Sequence, residues 1–457
     1  MSSIGIIGAG PAGLAAALTA AESGHEVVVY EAADAVGGMA GSFDVAGLRV
    51  DFGSHRLHAS TAPEFLNRLD GLLGDDLQAR ERNGRIRLRD RWVGFPLRLG
   101  DMARRLPPDF ALRVGAETAL GPLRRSGSDP GFLDDVTRRL GPTVSGEFYE
   151  PYAVKLYGID PSELTEELAR RRVSASSPLA VLAKAFKARQ TDGRTFYYPR
   201  RGYGQVSEAL ADAAVAAGAD LRLGTPVTGV RAGAGPSIST AAGTDDVDLV
   251  LSTMPVPALV RALDPAPEPT VTEAVESLRV RGMALVYLVV PRPRYTPFDA
   301  HYFPSLDITM CRLSEPKNYR DGDDPADHTV LCAELACWPG DDIWSASDDD
   351  LGKLVADDLS RAGLPDPEYV EVVVRRLPSV YPVYERATEQ ARATVDRWLA
   401  DIPGVLSFGR QGLGVPDNLH HVLDMGQAAA GGIEGGTVDR GQWADELTRF
   451  ATNVVVD

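Results

Sequence analysis

Cysteine is scarce in this chain of 457 residues, which contains only Cys311, Cys332 and Cys337. Three cysteines cannot build a disulfide framework, so the composition favours a reducing compartment over the small disulfide-stapled secreted folds. Basic side chains are also in the minority, with 47 Lys and Arg against 64 Asp and Glu, and the formal net charge is −17. This balance argues against nucleic acid or an anionic membrane as the main partner. A site for an anionic ligand would need locally clustered arginines.

Long hydrophobic runs are missing as well. The apolar stretch at residues 4–21 is similar to the middle of a signal peptide, but such peptides begin with a basic segment, and the first Lys or Arg here is Arg49. The glycines and the proline of this stretch make it a poor membrane span. We therefore expect a cytoplasmic protein without a membrane span. With 44% apolar and 24% charged residues, the chain has a globular composition and room for about two or three domains.

The first fifty residues follow a strand-turn-helix-strand pattern with a glycine-rich turn. Apolar residues 4–7 predict a short buried strand, and the sequence GAGPAG follows at residues 8–13. A helical composition continues to residue 23, and residues 25–30 predict a second buried strand. A β-turn-α-β unit with this glycine spacing is typical of dinucleotide binding, in which the helix N-terminus faces the phosphates.

The residues of this unit have separate predicted roles. Gly8 permits the tight turn, Gly10 lets the backbone approach a pyrophosphate, and Gly13 lets the helix pack closely on the strand. Glu31, at the end of the second strand, is placed to accept hydrogen bonds from the ribose hydroxyls. The predicted contacts of the nucleotide half of the cofactor are Gly8, Gly10, Pro11, Ala12, Gly13 and Glu31.

A second glycine pair decides between FAD and NAD. Gly37 and Gly38 follow the ribose acid closely, and paired glycines let the backbone pass near the flavin. The pair resembles the second FAD fingerprint of the glutathione-reductase-like flavoproteins, which include amine oxidases, porphyrinogen oxidases and UDP-galactopyranose mutases. Many amine oxidases carry an arginine where this chain has Met39. No second GxGxxG occurs in a strand context, so we expect FAD as the cofactor and no separate NAD(P)H domain.

The rest of the chain predicts interleaved segments. Residues 85–96 predict a β-hairpin, residues 97–190 are mainly helical, and strand-like runs alternate with polar turns from about residue 276 to residue 380. Residues 197–204 predict a loop. Val227 lies in a predicted strand that could flank the adenine.

The predicted fold class is therefore α/β. We expect a glutathione-reductase-like Rossmann FAD domain with an inserted helical domain and an antiparallel β-sheet substrate domain. The predicted boundaries are residues 1–58, 195–275 and 400–457 for the FAD domain, 97–194 for the helical domain, and 59–96 and 276–399 for the sheet domain.

Along most of its length the chain resembles the UDP-galactopyranose mutase family. The sequence HRLH at residues 55–58 is similar to the family's His-x-x-His motif, and the hairpin at residues 85–96 ends in the same Phe-Pro pair. Residues 148–164 are similar to the family's aromatic helix and the Asp-Pro-x-Glu-Leu turn that follows it. Further similar positions are Arg312 on a strand, Tyr381 before a proline, Gly409 with Arg410, and Leu423, Asp424 and Met425.

This resemblance implies a flavoenzyme that isomerises a nucleotide sugar between pyranose and furanose forms. In the family, N5 of the reduced flavin attacks the anomeric carbon and the nucleoside diphosphate leaves, without net redox change. FAD must then be kept in its reduced form by an external reductant. The expected partners are therefore a small-molecule substrate, a nucleotide sugar, and that reductant, with no nucleic acid.

The resemblance also assigns two arginines to the departing diphosphate. Arg312 and Arg171 match this clamp, in which a fork of donors fits paired oxyanions. Arg170 and Arg172 flank Arg171, so the alignment of this segment with the family's arginine stays open between the three residues. His55 is expected to approach the flavin, and we list it with the two arginines as a catalytic candidate.

Aromatic residues are the expected contacts of base and sugar. Phe148 and Tyr152 lie four residues apart on a predicted helix, so they share a face and could sandwich a base. Tyr157 is expected to contact the sugar, and Tyr381 the phosphate or sugar as a further catalytic candidate. Such an aromatic pair can equally be core packing.

The C-terminal segments are expected to complete the flavin site. The resemblance places Gly409 and Arg410 near the cofactor, and it places Leu423, Asp424 and Met425 at the start of the last helix. N–H groups at that helix start would face the pyrimidine edge of the flavin.

Two departures leave the substrate open. Residues 412–422 contain no tyrosine where the mutases have a tyrosine-bearing loop, and Tyr157 replaces a tryptophan. Both changes fall near the sugar pocket in that family. The alternative is therefore an FAD-dependent oxidoreductase of the amine oxidase, protoporphyrinogen oxidase or phytoene desaturase type. No cluster of cysteines or carboxylates accompanies His55 and His58, so we predict no metal site.

Overall fold

The computed structural model describes residues 1–59, 61–96, 99–121, 130–173 and 195–455. These residues fold into a mixed α/β structure with a parallel sheet and several antiparallel pairings. The predicted α/β class is therefore confirmed, and the division into three domains stays a prediction. Within the described chain, no helix is long and apolar enough to cross a membrane.

A five-stranded parallel sheet forms from the N-terminal unit and later segments. Strand Ser3–Ile7 lies between Glu26–Tyr30 and Leu249–Ser252, while Asp220–Arg222 and Val405–Ser407 form the two edges. The central strands are largely buried, as is typical of a parallel sheet that is covered on both faces. Segments far apart in sequence thus build one sheet around the glycine-rich turn.

Helix Pro11–Glu22 packs between this sheet and helix Leu419–Gly431. Both helices carry small residues where they meet. A Cβ added at Gly426 would lie 2.3 Å from the carbonyl oxygen of Ala12, so the close approach of the two helices requires glycine at this position. The C-terminal helix thereby fixes the helix whose first turn follows the glycine-rich turn.

A large sheet of seven strands forms the second part of the structure. Its neighbouring strands are antiparallel except for the pairing of Ala300–Tyr302 with Gly84–Leu88. The strands follow one another across the sheet in the order Glu371–Pro382, Val280–Val290, Thr329–Cys337, Arg312–Ser314, Ala300–Tyr302, Gly84–Leu88 and Arg91–Phe95.

Strand Val280–Val290 is apolar at nearly every position because both faces of the large sheet are covered. Successive side chains alternate between the faces. Ala284 and Val286 pack in the core that includes helix Asp348–Arg361, whereas Met283 and Leu285 pack on the opposite face. The face that carries Met283 and Leu285 also borders the cavity described below.

Smaller sheets and the remaining helices complete the fold. Ser42–Val45 pairs with Leu48–Asp51, and Thr195–Pro199 pairs with both Leu57–His58 and Leu77–Glu81. Ser237–Thr240 pairs with both Gly243–Asp246 and Val227–Arg231, and Val227–Arg231 also pairs with Leu263–Asp264. Ile433–Glu434 pairs with Thr437–Val438. The further α-helices are Pro63–Leu73, Leu99–Arg105, Pro108–Leu120, Phe132–Leu140, Pro142–Val144, Glu150–Tyr157, Glu166–Arg172, Gln205–Ala216, Val256–Ala262, Pro269–Ser277, Asp342–Ser345, Glu389–Ala400, Gly409–Gly412 and Arg440–Phe450. Short 3₁₀ turns span Gly38–Ala40, Gly74–Asp76, Pro161–Glu163, Pro316–Asn318 and Arg386–Thr388, and a π-turn spans Ser145–Tyr149. The helical prediction for residues 97–98, 122–129 and 174–190 lies outside the described residues.

The predicted loop at residues 197–204 is partly wrong. Strand Thr195–Pro199 includes the first three of these residues and pairs with both Leu57–His58 and Leu77–Glu81. Phe196 and Tyr198 are buried while Thr195 and Tyr197 are partly exposed, which is the alternation of a strand. The proline, arginines and glycines that follow are typical of a loop, and the alternating pattern is too short to indicate a strand against them.

The tight contact at Gly426 can be tested by substitution. We expect Gly426→Ala to lower the free energy of unfolding by about 1–3 kcal/mol, because the new methyl group meets backbone that cannot move away cheaply. Gly431→Ala, in the same helix, is the matched control, because its Cβ would have no described atom within 4 Å. Urea unfolding of both variants should show a loss for Gly426→Ala alone, and equal stabilities would contradict this packing.

Candidate functional site

The glycine-rich turn has the backbone geometry that its spacing predicted. Gly8 has a φ of 101°, and its N–H donates to the carbonyl oxygen of Tyr30 at 2.8 Å. A Cβ at Gly13 would lie 2.0 Å from the carbonyl oxygen of Gly8, so only glycine lets the helix pack on the strand here. At Gly10, in contrast, a Cβ would have no described atom within 4 Å. The space in front of the helix N-terminus is therefore open at this residue.

The acidic residue and the second glycine pair fold against this turn. The carboxylate of Glu31 accepts hydrogen bonds from the N–H groups of Ala9 at 2.7 Å and Ala33 at 2.9 Å. Gly37 and Gly38 have φ angles of 110° and 51°, and the Gly37 N–H donates to the carbonyl oxygen of Ala9 at 2.8 Å. The two glycine motifs, distant in sequence, thus share one corner of the structure.

These turns border a cavity of about 500 Å³ whose opposite wall is the large sheet. The lining includes the predicted residues Gly8, Gly10, Pro11, Ala12, Glu31, Gly38, Met39, His55, Tyr152, Val227, Arg312, Tyr381 and Arg410. Other predicted residues are not part of the lining, namely Gly13, Gly37, Phe148, Tyr157, Arg171, Gly409, Leu423, Asp424 and Met425. Gly13, Gly37 and Gly409 shape the backbone beside the cavity: a Cβ at each would lie within 3 Å of a neighbouring atom.

Four lining residues form a row across neighbouring strands of the large sheet. Tyr302 is the cross-strand partner of Arg312, Arg312 is the partner of Glu334, and Glu334 is the partner of Leu285. Side chains directly opposite each other lie on one face of a sheet and contact their neighbours. The row therefore forms a continuous floor of the cavity.

A buried ion pair lies at the centre of this row. Arg312 Nε and Nη2 donate to the two carboxylate oxygens of Glu334 at 2.9 and 2.8 Å, and the Ser54 N–H donates to the same carboxylate at 2.7 Å. Burial opposes the charge of Arg312, but the Glu334 carboxylate outweighs burial and the pKa of Arg312 is raised. The predicted arginine thus lines the cavity as a permanently charged group with a carboxylate partner.

Arg171 does not lie in the cavity, and this correction follows from the rotation of the helix. Arg171 Nε donates to Glu167 at 2.9 Å, and Nη1 donates to the carbonyl oxygen of Phe450 at 3.4 Å, behind the cavity wall. Arg172 lines the cavity instead, with its guanidinium 5.5 Å from the centre of the Tyr381 ring. Consecutive residues on a helix differ by about 100° in direction, so only one of the two can face the cavity.

Tyr381 and Arg410 stand beside Arg172 in the wall. Burial, and then the charge of Glu334, raises the pKa of the Tyr381 hydroxyl, which stays protonated. The Arg410 guanidinium donates to the carbonyl oxygens of Val380 at 2.7 Å and Asp417 at 2.8 Å. Burial, followed by the positive charge of Arg172, lowers the pKa of Arg410. This part of the cavity therefore carries positive charge and a protonated hydroxyl.

The aromatic pair on the helix does not form a sandwich. Phe148 and Tyr152 stack on each other with centroids 5.6 Å apart and 27° between their planes. A base between two rings needs about 7 Å, which is two van der Waals contacts. Tyr152 lines the cavity, whereas Phe148 packs against the hairpin of the large sheet. Tyr157 is buried with its ring edge towards Tyr381, at 6.3 Å, so the helix positions it in the core.

The helix that was predicted to open at Leu423 begins four residues earlier. It spans Leu419–Gly431 with Asn418 as its N-cap, and Asn418 and Leu419 line the cavity. Leu423 and Met425 are buried in the core, and Asp424 accepts a hydrogen bond from Arg449 at 3.0 Å on the surface. It is also not the last helix, because Arg440–Phe450 follows. The first turn of this helix therefore borders the cavity, and the Asn418 N–H within it donates to Nδ1 of His421 at 3.3 Å.

His55 is a neutral imidazole at the cavity wall. Its ring stacks on Tyr203 with centroids 5.3 Å apart and 14° between the planes. Burial, followed by the positive charges of Arg312 and Arg410, lowers its pKa to about 3. In these surroundings the His55 imidazole is neutral near neutral pH.

Several lining residues escaped the sequence analysis, namely Arg56, Arg82, Tyr302, Glu334 and Gln411. Glu334 gave a usable signal, since it is the only charge in the buried apolar strand Thr329–Cys337. Arg82 is buried, although it lies in a stretch rich in basic residues, which are usually exposed. No local pattern marks Gln411, whose side-chain amide donates to Met39 Sδ at 3.3 Å.

Comparison with known proteins agrees with the dinucleotide motif. Residues 11–414 match the family model of flavin-containing amine oxidoreductases, and no curated protein matches the sequence. The crystal structure of reduced UDP-galactopyranose mutase is similar, with a TM-score of 0.81 and 22% identity over 100% of both chains. An Exiguobacterium protein described as a protoporphyrinogen oxidase has a TM-score of 0.73 and 20% identity, covering 94% of this chain and 98% of its own. Putrescine oxidase bound to putrescine has a TM-score of 0.63 and 16% identity over the same shares. At these identities the likeness shows the fold alone.

The open space at Gly10 predicts a cofactor-specific defect. We expect Gly10→Ala to unfold like the wild type, because its backbone is extended and the new methyl group meets no described atom. The methyl group would occupy the position of a phosphate, so the flavin cofactor should bind at least about tenfold more weakly. Flavin content after purification and titration of the apoprotein measure this, and unchanged flavin affinity would contradict the assignment.

Buried neutral histidines predict acid sensitivity. Burial lowers the pKa of His55 to about 3 and those of His420 and His421 to about 4, against about 6.5 in the unfolded chain. The unfolded chain therefore binds more protons as the pH falls from about 6.5 to 4, and each histidine lowers the free energy of unfolding in this window.

His420→Gln isolates the contribution of one histidine. The buried carboxylates also change stability with pH, but they do so equally in the wild type and the variant, so their effect cancels in the difference. The difference in unfolding free energy between wild type and variant should change by up to about 3 kcal/mol between pH 7 and pH 4, with the wild type losing more. Urea unfolding across this pH range measures the difference. Parallel pH profiles of the two proteins would show that His420 titrates normally.

Proposed function

This chain belongs to the flavin-containing amine oxidoreductase family, and on that premise we propose that it is an FAD-dependent isomerase of a nucleotide sugar. The observation that carries the proposal is the charge of the cavity. Its lining contains the arginines Arg56, Arg82, Arg172, Arg312 and Arg410. The carboxylates of the lining are Glu31, which stands beside the first glycine turn, Glu334, which is paired with Arg312, and Asp417. Such a cavity favours a multiply anionic ligand and disfavours a protonated amine.

The residues at the parallel sheet fit FAD. The open space at Gly10 and the N-terminus of helix Pro11–Glu22 suit a pyrophosphate, and Glu31 suits the ribose hydroxyls. The N–H groups that begin helix Leu419–Gly431 suit the pyrimidine edge of the flavin. When bound and reduced, FAD would supply the nucleophilic nitrogen for the anomeric carbon.

The residues at the large sheet suit the diphosphate that leaves during such a reaction. We assign the clamp to Arg312 and Arg172, in place of Arg171. Arg410 adds positive charge beside them, and its carbonyl partners hold the guanidinium in a fixed orientation. Fixed donors stabilise developing negative charge without reorganisation. Tyr381 stays protonated, so its hydroxyl can donate to a phosphate or sugar oxygen.

Oxidation of an anionic substrate by FAD is the second candidate, and the oxidoreductase description of the family favours it. The two candidates differ in what happens to the flavin. An isomerase needs reduced flavin and transfers no net electrons, whereas an oxidase is reduced by its substrate.

Anaerobic mixing separates the two candidates. Holoenzyme is reduced with dithionite, and UDP-, GDP- and TDP-sugars are added to the reduced and oxidised forms. We expect the nucleotide sugar to bind to the reduced form alone and to be isomerised by it. Chromatography of the sugars measures the isomerisation, and the oxidised flavin should not be bleached. If no nucleotide sugar binds to or reacts with the reduced enzyme, while another substrate bleaches the oxidised flavin, the oxidase is correct.

The clamp assignment predicts a contrast between two arginines of one helix turn. Arg172→Met should weaken binding of the nucleoside diphosphate by about 10- to 100-fold, because a charge-assisted contact at the cavity wall is lost. Arg170→Met is the matched control, since Arg170 is exposed and pairs with Glu166 on the surface. Calorimetric titration with UDP, GDP and TDP measures both variants.

The control should bind within about twofold of the wild type. Equal affinities of the two variants would remove Arg172 from the diphosphate site. Loss of flavin from Arg172→Met would instead show a structural defect, so flavin content is measured alongside.

A further inference from the structure

A partly buried lysine behind the cavity wall has no part in the proposed reaction. Lys155 lies on helix Glu150–Tyr157, which also carries Tyr152, but unlike Tyr152 it does not line the cavity. Its ammonium group donates to the carbonyl oxygens of Phe303 and, at 3.1 Å, of Met310. Burial lowers the pKa of Lys155 to about 8, so the group is mostly charged near pH 7. Charge-assisted hydrogen bonds therefore join this helix to the large sheet.

The two carbonyl groups belong to the ends of the loop that joins two strands of the large sheet. Phe303 directly follows Tyr302, and Met310 stands two residues before Arg312. Tyr302 and Arg312 are cross-strand partners in the row of four residues that forms the floor of the cavity. Lys155 therefore binds the loop next to both of these floor residues.

The loop is also held from the side of the sheet. The carboxylate of Asp358, which is fully buried, accepts hydrogen bonds from the N–H groups of Thr309 at 2.7 Å and Met310 at 3.0 Å. The Cys311 N–H donates to the carbonyl oxygen of Glu334 at 2.9 Å. Because these bonds already fix the loop, the ammonium group fixes the helix rather than the loop.

Tyr152 lies on the same side of the helix as Lys155. The two residues are three positions apart, and residues at this spacing are neighbours on the surface of a helix. Burial lowers the pKa of Arg312, and Glu334 and the nearby tyrosines, which include Tyr152, raise it. The Tyr152 hydroxyl is therefore within electrostatic reach of the Arg312 guanidinium. The position of Tyr152 over the cavity floor thus depends on where Lys155 holds the helix.

We propose that Lys155 is a positioning residue of the site, which holds Tyr152 near Arg312 so that the tyrosine contacts the bound nucleoside diphosphate. This inference rests on the proposed function, because it concerns the ligand of the same site. Without the ammonium group, the helix can shift away from the loop, while the floor strands stay where Asp358 and the sheet hold them. The ligand then keeps its contact with Arg312 and loses its contact with Tyr152.

A double-mutant cycle between Lys155 and Tyr152 tests the inference. Holoenzyme is titrated by calorimetry with whichever of UDP, GDP and TDP the wild type binds most tightly. Lys155→Met, which keeps the length of the side chain and removes its donors, should weaken binding by about 5- to 10-fold at normal flavin content. Tyr152→Ala should weaken it by about tenfold. The double variant should bind within about twofold of Tyr152→Ala, because the lysine acts through the tyrosine.

Two further variants of Lys155 support the cycle. Lys155→Arg keeps the charge and the donors, so it should bind the nucleotide more tightly than Lys155→Met. If Lys155→Met is purified without flavin, Lys155→Gln takes its place in the cycle, because its shorter amide weakens the same contact without removing every donor.

Lys317→Met is the matched control. Lys317 is buried and also donates to two loop carbonyls, those of Pro325 and, at 2.9 Å, of His328, but neither it nor the other residues of its turn Pro316–Asn318 line the cavity. Urea unfolding should show a loss of stability for this variant as for Lys155→Met. Its affinity for the nucleotide should stay within about twofold of the wild type.

The outcomes separate the inference from the proposed function. Wild-type affinity in Lys155→Met, an equal loss of affinity in Lys317→Met, or additive losses in the double variant overturns the inference and leaves the proposed function standing. If the wild type binds none of the three nucleoside diphosphates and no nucleotide sugar, the proposed function is overturned, and the inference with it.

Discussion

The ion pair of Arg312 and Glu334 is the contact on which the rest of the cavity depends. Burying two charges is costly, and a bidentate geometry with a further donor is needed to offset that cost. The further donor is the N–H of Ser54, which lies next to His55 in the cavity wall. One carboxylate therefore connects the large sheet with the segment that follows the glycine-rich turns. Glu334 thereby holds the two walls of the cavity in a fixed relative position.

The distribution of charge explains how an acidic chain can hold anions. The net charge of −17 gives an unfavourable overall field for the proposed ligands, FAD and a nucleotide sugar, which are both anions. Local donors act against this field: backbone N–H groups at two helix starts, and arginines buried in the cavity wall. Because these arginines are buried or partly buried, their charges are screened less by water and salt than fully exposed charges.

The C-terminal segment packs behind the cavity wall that carries the proposed clamp, and this accounts for the burial of Arg171. The Val455 N–H donates to the carbonyl oxygen of Arg171 at 2.7 Å, and the Asn453 side chain donates to Asp417 at 3.0 Å. Val455 and Asp417 both line the cavity. Arg171 thus connects the helix that carries Arg172 with the end of the chain, as a positioning residue.

The sequence by itself determined the parts of this protein that depend on local backbone geometry. The spacing of Gly8, Gly10 and Gly13, the acid at Glu31 and the second glycine pair predict the dinucleotide turn. Gly8, Gly13 and the second pair are required by a φ angle or by a contact with a nearby backbone atom, whereas Gly10 leaves the space before the helix open. The large-sheet strands were also visible, since apolar runs bounded by polar turns form wherever a sheet is covered on both faces.

Only the tertiary structure decided which side chains meet in the cavity. Helix rotation selects Arg172 over Arg171, and cross-strand register brings Tyr302, Arg312 and Glu334 into one row. Neither property follows from local spacing, because a shift of one residue turns a side chain to another face without changing the pattern of the sequence. The start of helix Leu419–Gly431 and the burial of Arg56 depend in the same way on contacts between distant segments.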